Sequence, residues 1–240
     1  MAGKDSVNDK VITLRYTFTF GNGTKKVFPI ALEQATLRLI CAEEKTPSPW
    51  AKLQDFQCPH CPLDKTKHEF CPIATGIYEV VDYFKDRESI EEIDLLIESK
   101  QREFRKHTLL QEGLSSLLGI YMVTTGCPVL EKLKPLVRFH LPFGTLQEAT
   151  YRVVTMYLLA QFFLQRQGKD PDWDLKGLAA IYNDIRIVND HVFSKIYEVI
   201  KNDAAGNALV KLNCSAFYIP LQLSSTILDE IKPDFSAYQV

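Results

Sequence analysis

Four cysteines, Cys58, Cys61, Cys71 and Cys127, are each followed by proline. With 12 prolines in 240 residues, chance would place fewer than one proline after the six cysteines. Cys41 and Cys214 lack the proline and differ in kind. Cys58 and Cys61 form a C-x2-C pair, the tight-turn spacing that lets two sulfurs reach one ion. Pro72 and Pro128 suit the first turn of a helix, where the N–H that proline lacks has no partner anyway. Cys71 and Cys127 are then expected as helix caps, facing unpaired backbone N–H groups and the positive end of the dipole. Such placement lowers a thiol's pKa and favours the thiolate that metals and redox chemistry need.

Three readings of this set stay open. A structural zinc site takes four such ligands and leaves no open position; here Cys58, Cys61, Cys71 and Cys127 would supply them. His68 is an alternative fourth ligand, because C-x2-C-x6-H-x2-C is also compact. His60 lies inside the C-x2-C turn and is expected to point away. An iron–sulfur cluster also takes four thiolates, often with proline after the last cysteine, although the spacing here is not the ferredoxin run. In the third reading the cysteines bind nothing and are partly buried as small apolar residues.

Other polar residues sit where a core is expected. Arg138 and His140 lie between apolar neighbours shortly after Cys127, and a histidine there is a ligand, an acid–base group or a ring satisfied by backbone. Gln111 and Ser115 are four apart, as are Tyr157 and Gln161, with Arg152 nearby; Tyr182, Asn183 and Asn189 follow on a later helix. These form either a pocket between helices or a buried hydrogen-bond network. His107 and His191 have no partner at helical spacing. No G-x-G-x-x-G, P-loop, G-x-S-x-G or H-E-x-x-H is present, so the commonest nucleotide and hydrolase chemistries lose their usual support.

The elements that must position these residues can be read from periodicity. Val11–Phe20 alternates, Asn22-Gly23 signals a turn and VFPIAL follows, which predicts a β-hairpin. Residues 36–41 fit a third strand or a short helix. Residues 45–72 hold five prolines and the string CPHCPLDKTKHEFCP, and predict an ordered loop. A helix is expected from Ile73, and a long helical region over Ile90–Thr125, with Gly113 and Gly119 as candidate interruptions and Gly126 as its stop. Within it, Glu98–Lys106 is expected as a solvated helix face, with a basic docking strip as the minor alternative. Leu136–Gly144 is expected to be extended. Thr145-Leu146-Gln147-Glu148 is a capping box for a helix to about Gln167. Asp174 and Asp203 are expected to cap two more helices, to about Lys201 and about Phe217 or beyond, and Ser224 or Ser225 to open a last short one.

The sum is a mainly α, α+β protein: a bundle of five or six helices with an N-terminal hairpin. Its divisions are a hairpin element (1–44), a Cys/Pro-rich connector (45–72) and a helical bundle (73–240). The net charge of −2 gives no overall field for nucleic acid. The longest apolar run, Val153–Leu164, is too short to span a bilayer, and the polar start has no signal-peptide core. The expectation is a soluble, cytoplasmic protein whose thiols stay reduced, with a protein partner left open.

The strings CPHCPL, FCPIA, TTGCPVL, RFHLPFGT and YLLAQFF, in this order, resemble a bacterial family of unknown function along nearly the whole chain. The resemblance implies no activity, cofactor or catalytic residue. The leading functional reading is therefore the residues' own: a binding or regulatory module with a Cys-ligated zinc. The alternatives are an iron–sulfur redox protein or enzyme using an interhelical pocket, and a ligand-free interaction protein.

Overall fold

The computed structural model describes residues 10–40, 49–198, 200, 202–223 and 227–238. Strands β1 (Val11–Phe20) and β2 (Lys25–Glu33) form the expected hairpin. Its turn is closed by Asn22, whose side-chain oxygen accepts from the Thr24 N–H at 3.0 Å and hydroxyl at 2.7 Å. Pro29 falls in β2, an edge strand, where a missing ladder N–H is tolerated.

Two further strands replace the first part of the expected long helix. β3 (Glu92–Ser99) and β4 (Glu103–Leu109) complete an antiparallel sheet in the order β2-β1-β3-β4. The helical expectation over Ile90–Thr125 is thus corrected: only α3 (Leu110–Thr124) is helical. The physical reason is a period of two. Ile93, Leu95 and Ile97 face the core beside Leu14, Tyr16, Phe18 and Phe20 of β1. Ile93, Leu96 and Ile97 also satisfy helical spacing, and the turn Ser99–Arg102 contains no Gly, Pro or Asn to announce itself. Ser99 makes it instead, with its N–H and hydroxyl both donating to the Arg102 carbonyl at 2.9 and 3.0 Å. Glu98–Lys106 is accordingly a strand turn and edge rather than a helix face. β4 leaves Glu103, Arg105, Lys106 and His107 exposed, the charge pattern that protects an edge from pairing with other chains.

One face of the sheet is covered by α2 (Pro72–Phe84) and α3. Phe84 of α2 packs on Phe18, Phe20 and Phe28. α3 is buried on nearly every side, from Leu110 to Thr124, because it lies between the sheet and α7 (Ala204–Leu223). α6 (Lys176–Tyr197) packs along α7, and α5 (Leu146–Arg166) completes this layer. Gly113 and Gly119 lie inside α3 without breaking it, and Gly126 (φ +101°) follows its end.

With α1 (Leu53–Phe56), α4 (Lys134–Arg138) and α8 (Ile227–Ile231), eight α-helices occur among the described residues, five of them longer than ten residues. The bundle is larger than expected through these three short helices. α4 also corrects the extended reading of Leu136–Gly144. Residues 36–40 form neither strand nor helix; a single bridge pairs Leu39 with Leu32. Cys41, Ser224 and Ser225 lie outside the described residues.

The capping box at Thr145 is present: its hydroxyl accepts from the Glu148 N–H at 3.2 Å, and the Glu148 carboxylate accepts from the Thr145 N–H at 2.7 Å. Asp174 does not cap α6. Leu175 occupies that position in a left-handed conformation (φ 61°), and Asp172 accepts from the Gly177 N–H at 2.6 Å. Asp203 precedes α7 and binds Ser89 and Asn207 through its carboxylate. Among the described residues no helix is long and apolar enough to cross a membrane.

Candidate functional site

The connector folds back on itself before it reaches α2. Leu53 N–H donates to the Glu69 carbonyl, and Cys71 N–H to that of Ala51, both at 2.8 Å. Trp50 packs on Phe56 and on Tyr78 of α2, and Phe56 meets the His191 ring of α6 edge-on. Cys61 N–H donates to the Cys58 carbonyl at 3.0 Å, closing the C-x2-C turn. Cys71 is the N-cap of α2, with Pro72 following as expected. Cys127 stands past the end of α3 and, against expectation, is not a cap: its carbonyl accepts from the Glu131 N–H, and Val129 takes the cap position of the 3-10 turn at Leu130–Leu133.

These placements bring the four Cys-Pro sulfurs into one neighbourhood. Cys58 interacts electrostatically with Cys61, Cys71 and Cys127; Cys71 with Cys61 and Cys127; and Cys127 with Cys61. All pairings within the set are therefore represented. Cys58, Cys71 and Cys127 are buried and Cys61 is half-buried. Cys214 is exposed.

The expected lowering of thiol pKa at the caps does not prevail. Burial first, then the other sulfurs, pushes Cys58 up to about 12. Burial pushes Cys71 up to about 11, although the Ile73 and Ala74 amides act in the opposite direction. Burial also raises Cys127 against the amides of Leu130 and Val129. Desolvation thus outweighs the helix-end effect at Cys58, Cys71 and Cys127 and favours the thiol there.

Among the described residues no group of three or more His, Cys, Asp or Glu side chains is arranged to hold a metal ion. His68 is exposed and interacts with Asp64. His60, inside the C-x2-C turn, buries both ring nitrogens without a hydrogen-bond partner, and Thr75, one turn above Cys71, buries an unbonded hydroxyl. Sequence reasoning set His60 aside; its position between two cysteines was the available signal.

The polar residues of the helical layer divide. Tyr157 donates to Asp172 at 2.9 Å, and Gln161 accepts from the Asp172 N–H at 2.9 Å, so both fasten the α5–α6 connection. Arg138 is exposed and donates to the Gln34 carbonyl. Gln111 is half-buried at the start of α3, where its N–H donates to the Ser89 carbonyl at 3.1 Å. His140 closes a triangle with the Tyr16 hydroxyl at 2.6 Å and the Ser116 hydroxyl at 3.3 Å; those two hydroxyls are 2.9 Å apart. Burial, and then the Arg152 charge, pulls the His140 pKa down to about 4.

A cavity of about 200 Å³ does open between α3, α5, α6 and α7. Arg138, His140, Gln111, Tyr157 and Gln161 do not line it. Arg152, Tyr182 and Asn189 are its polar wall; Met122, Leu133 and Leu212 are among its apolar residues.

The fold and the cluster define an α+β protein in which a cysteine-rich connector is docked against a helical layer. The chain belongs to the family of the domain of unknown function DUF6901, whose sequence model matches residues 14–236. No curated protein and no solved structure matches it.

Proposed function

We propose that the protein is a metal-binding module in which Cys58, Cys61, Cys71 and Cys127 hold one zinc ion that pins the connector to the helices. The observation that carries this reading is that four sulfurs from three separate stretches of chain lie within electrostatic range of one another. Buried sulfurs that raise one another's pKa are costly as thiolates in the free protein, and a divalent cation offsets both burial and mutual repulsion. The unbonded His60 nitrogens and Thr75 hydroxyl beside this segment are further polar groups without a partner. The donor set suits zinc, which accepts four thiolates in a closed tetrahedral site. Its part would be structural: binding free energy is folding free energy when the ligands come from separated segments. The reading places the protein in the cytoplasm, where thiols stay reduced.

The test is elemental analysis and an optical spectrum on protein purified without oxygen. One zinc per chain and no visible absorption are expected. A brown protein with iron and sulfide would replace zinc by an iron–sulfur cluster on the same cysteines. Metal-free protein that binds no added zinc would overturn both. Cys127→Ser is expected to lower metal content and thermal stability together. Unchanged metal content in that variant removes Cys127 from the ligand set.

A further inference from the structure

We infer that the interhelical cavity is a binding site for a small hydrophobic carboxylate, with Arg152 as its anion-binding group. This site is separate from the cysteine cluster. The cavity, about 200 Å³, is walled mainly by apolar side chains from α3, the 130–136 segment, α6 and α7. Engineered apolar cavities of about 150 Å³ already take up benzene. A ligand of roughly ten non-hydrogen atoms therefore suits this volume.

Arg152 gives the cavity a positive charge, which the Glu148 carboxylate one turn away feels without forming an ion pair. The guanidinium is partly buried, and burial lowers its pKa. Among the described residues it has no carboxylate within ion-pair distance. The nearest acidic residue along its own helix, Glu148, spends its carboxylate on the Thr145 N–H and hydroxyl at 2.7 and 3.0 Å. The hydrogen bonds Arg152 makes, to the carbonyls of Leu136 at 2.9 Å and Phe139 at 2.6 Å, both use Nη2. Both Nη2 hydrogens are thereby used, and each fork of the guanidinium includes Nη2, so a bound carboxylate accepts from Nη1 in a single charge-assisted bond.

Two further polar groups are built into the same wall. Tyr182 and Asn189 are each only 4% exposed and line the cavity. Among the described residues neither side chain has a hydrogen-bond partner. Both residues line the cavity, so a polar ligand head can pair with their hydroxyl and amide where an apolar guest cannot.

The test uses the full-length protein, with octanoate as probe and octan-1-ol and acetate as controls, followed by calorimetry. Octanoate is expected to bind one per chain, at least tenfold more tightly than octan-1-ol, with no binding of acetate. Arg152→Met keeps the apolar stem and removes the charge. It is expected to cost octanoate at least tenfold while changing octan-1-ol less than threefold. Should that variant fail to fold, Asn189→Leu, which fills the polar end of the cavity, is expected to weaken octanoate binding by a similar factor. Failure of octanoate to bind the wild-type protein, or binding that Arg152→Met or Asn189→Leu leaves unchanged, would overturn the assignment.

Discussion

Tyr16 is fully buried in the central strand β1, yet its hydroxyl needs a partner there. His140 and Ser116 supply it from two other elements. Burial and the nearby Arg152 charge favour the neutral imidazole, and the His140 pKa of about 4 lies well below the ordinary 6.5. The sign of the pH effect follows. The unfolded chain takes up a proton near pH 6.5 and the folded chain resists it until about pH 4. This contribution to stability is fully present above pH 6.5 and is lost as pH falls through about 4. His140→Gln keeps a partner for Tyr16 but cannot titrate. Urea midpoints measured from pH 7 to pH 4 should fall more steeply for wild type than for the variant. Parallel slopes would show that His140 titrates normally in the folded protein. Neither the apolar spacing of β1 nor the RFHLPFG string shows that residues 16, 116 and 140 meet, because that depends on where α3 crosses the sheet.

At the scale of elements, what was legible tracked local signals. The β1–β2 hairpin has both alternation and an Asn-Gly turn; α5 has its capping box; α2 has its Cys-Pro start. β3 and β4 carry no turn residue, and a short apolar run in a strand satisfies helical spacing as well. The Cys-Pro steps pointed to one neighbourhood. The polar wall of the cavity did not stand out from its companions, since Arg152, Tyr182 and Asn189 have the same spacing signals as Tyr157 and Gln161, which only fasten a turn. The two glycines of α3 separate packing from propensity. A Cβ on Gly113 would stand 2.8 Å from Leu95 Cδ2 and 2.9 Å from Phe18 Cε1. Phe18 is held between Phe28 and Phe84 and has little room to move. Overpacking of this kind costs about 1–3 kcal/mol, against a helix-propensity gain of up to about 1 kcal/mol. Gly113→Ala should therefore be net destabilising. Gly119→Ala meets only Leu212 Cδ2, at 3.4 Å, and should be neutral or stabilising by up to about 1 kcal/mol. Chemical denaturation of both variants checks the opposite signs; a stabilised Gly113→Ala would mean that α3 stands farther from the sheet.

At the scale of the whole molecule, the cysteine cluster and the cavity share a piece of chain. The Val129 and Leu130 amides act on the Cys127 sulfur, while the Leu130, Leu133 and Leu136 side chains wall the cavity. Arg152 ties down the same segment by holding the Leu136 and Phe139 carbonyls. A metal on Cys127 would fix one end of this segment and a carboxylate on Arg152 the other. Ordering paid at one site need not be paid again at the second, which is positive coupling. Couplings of this type range from about fivefold to 150-fold in affinity. Removing the metal should therefore weaken octanoate at least about fivefold, and octanoate should slow metal loss to a chelator. Linkage requires the two equilibrium effects to match. The expectation rests on both proposed sites, and the two single-site tests separate their failures from its own. If each ligand binds alone with affinity indifferent to the other, the 127–136 segment is rigid without either of them, and the two sites act independently.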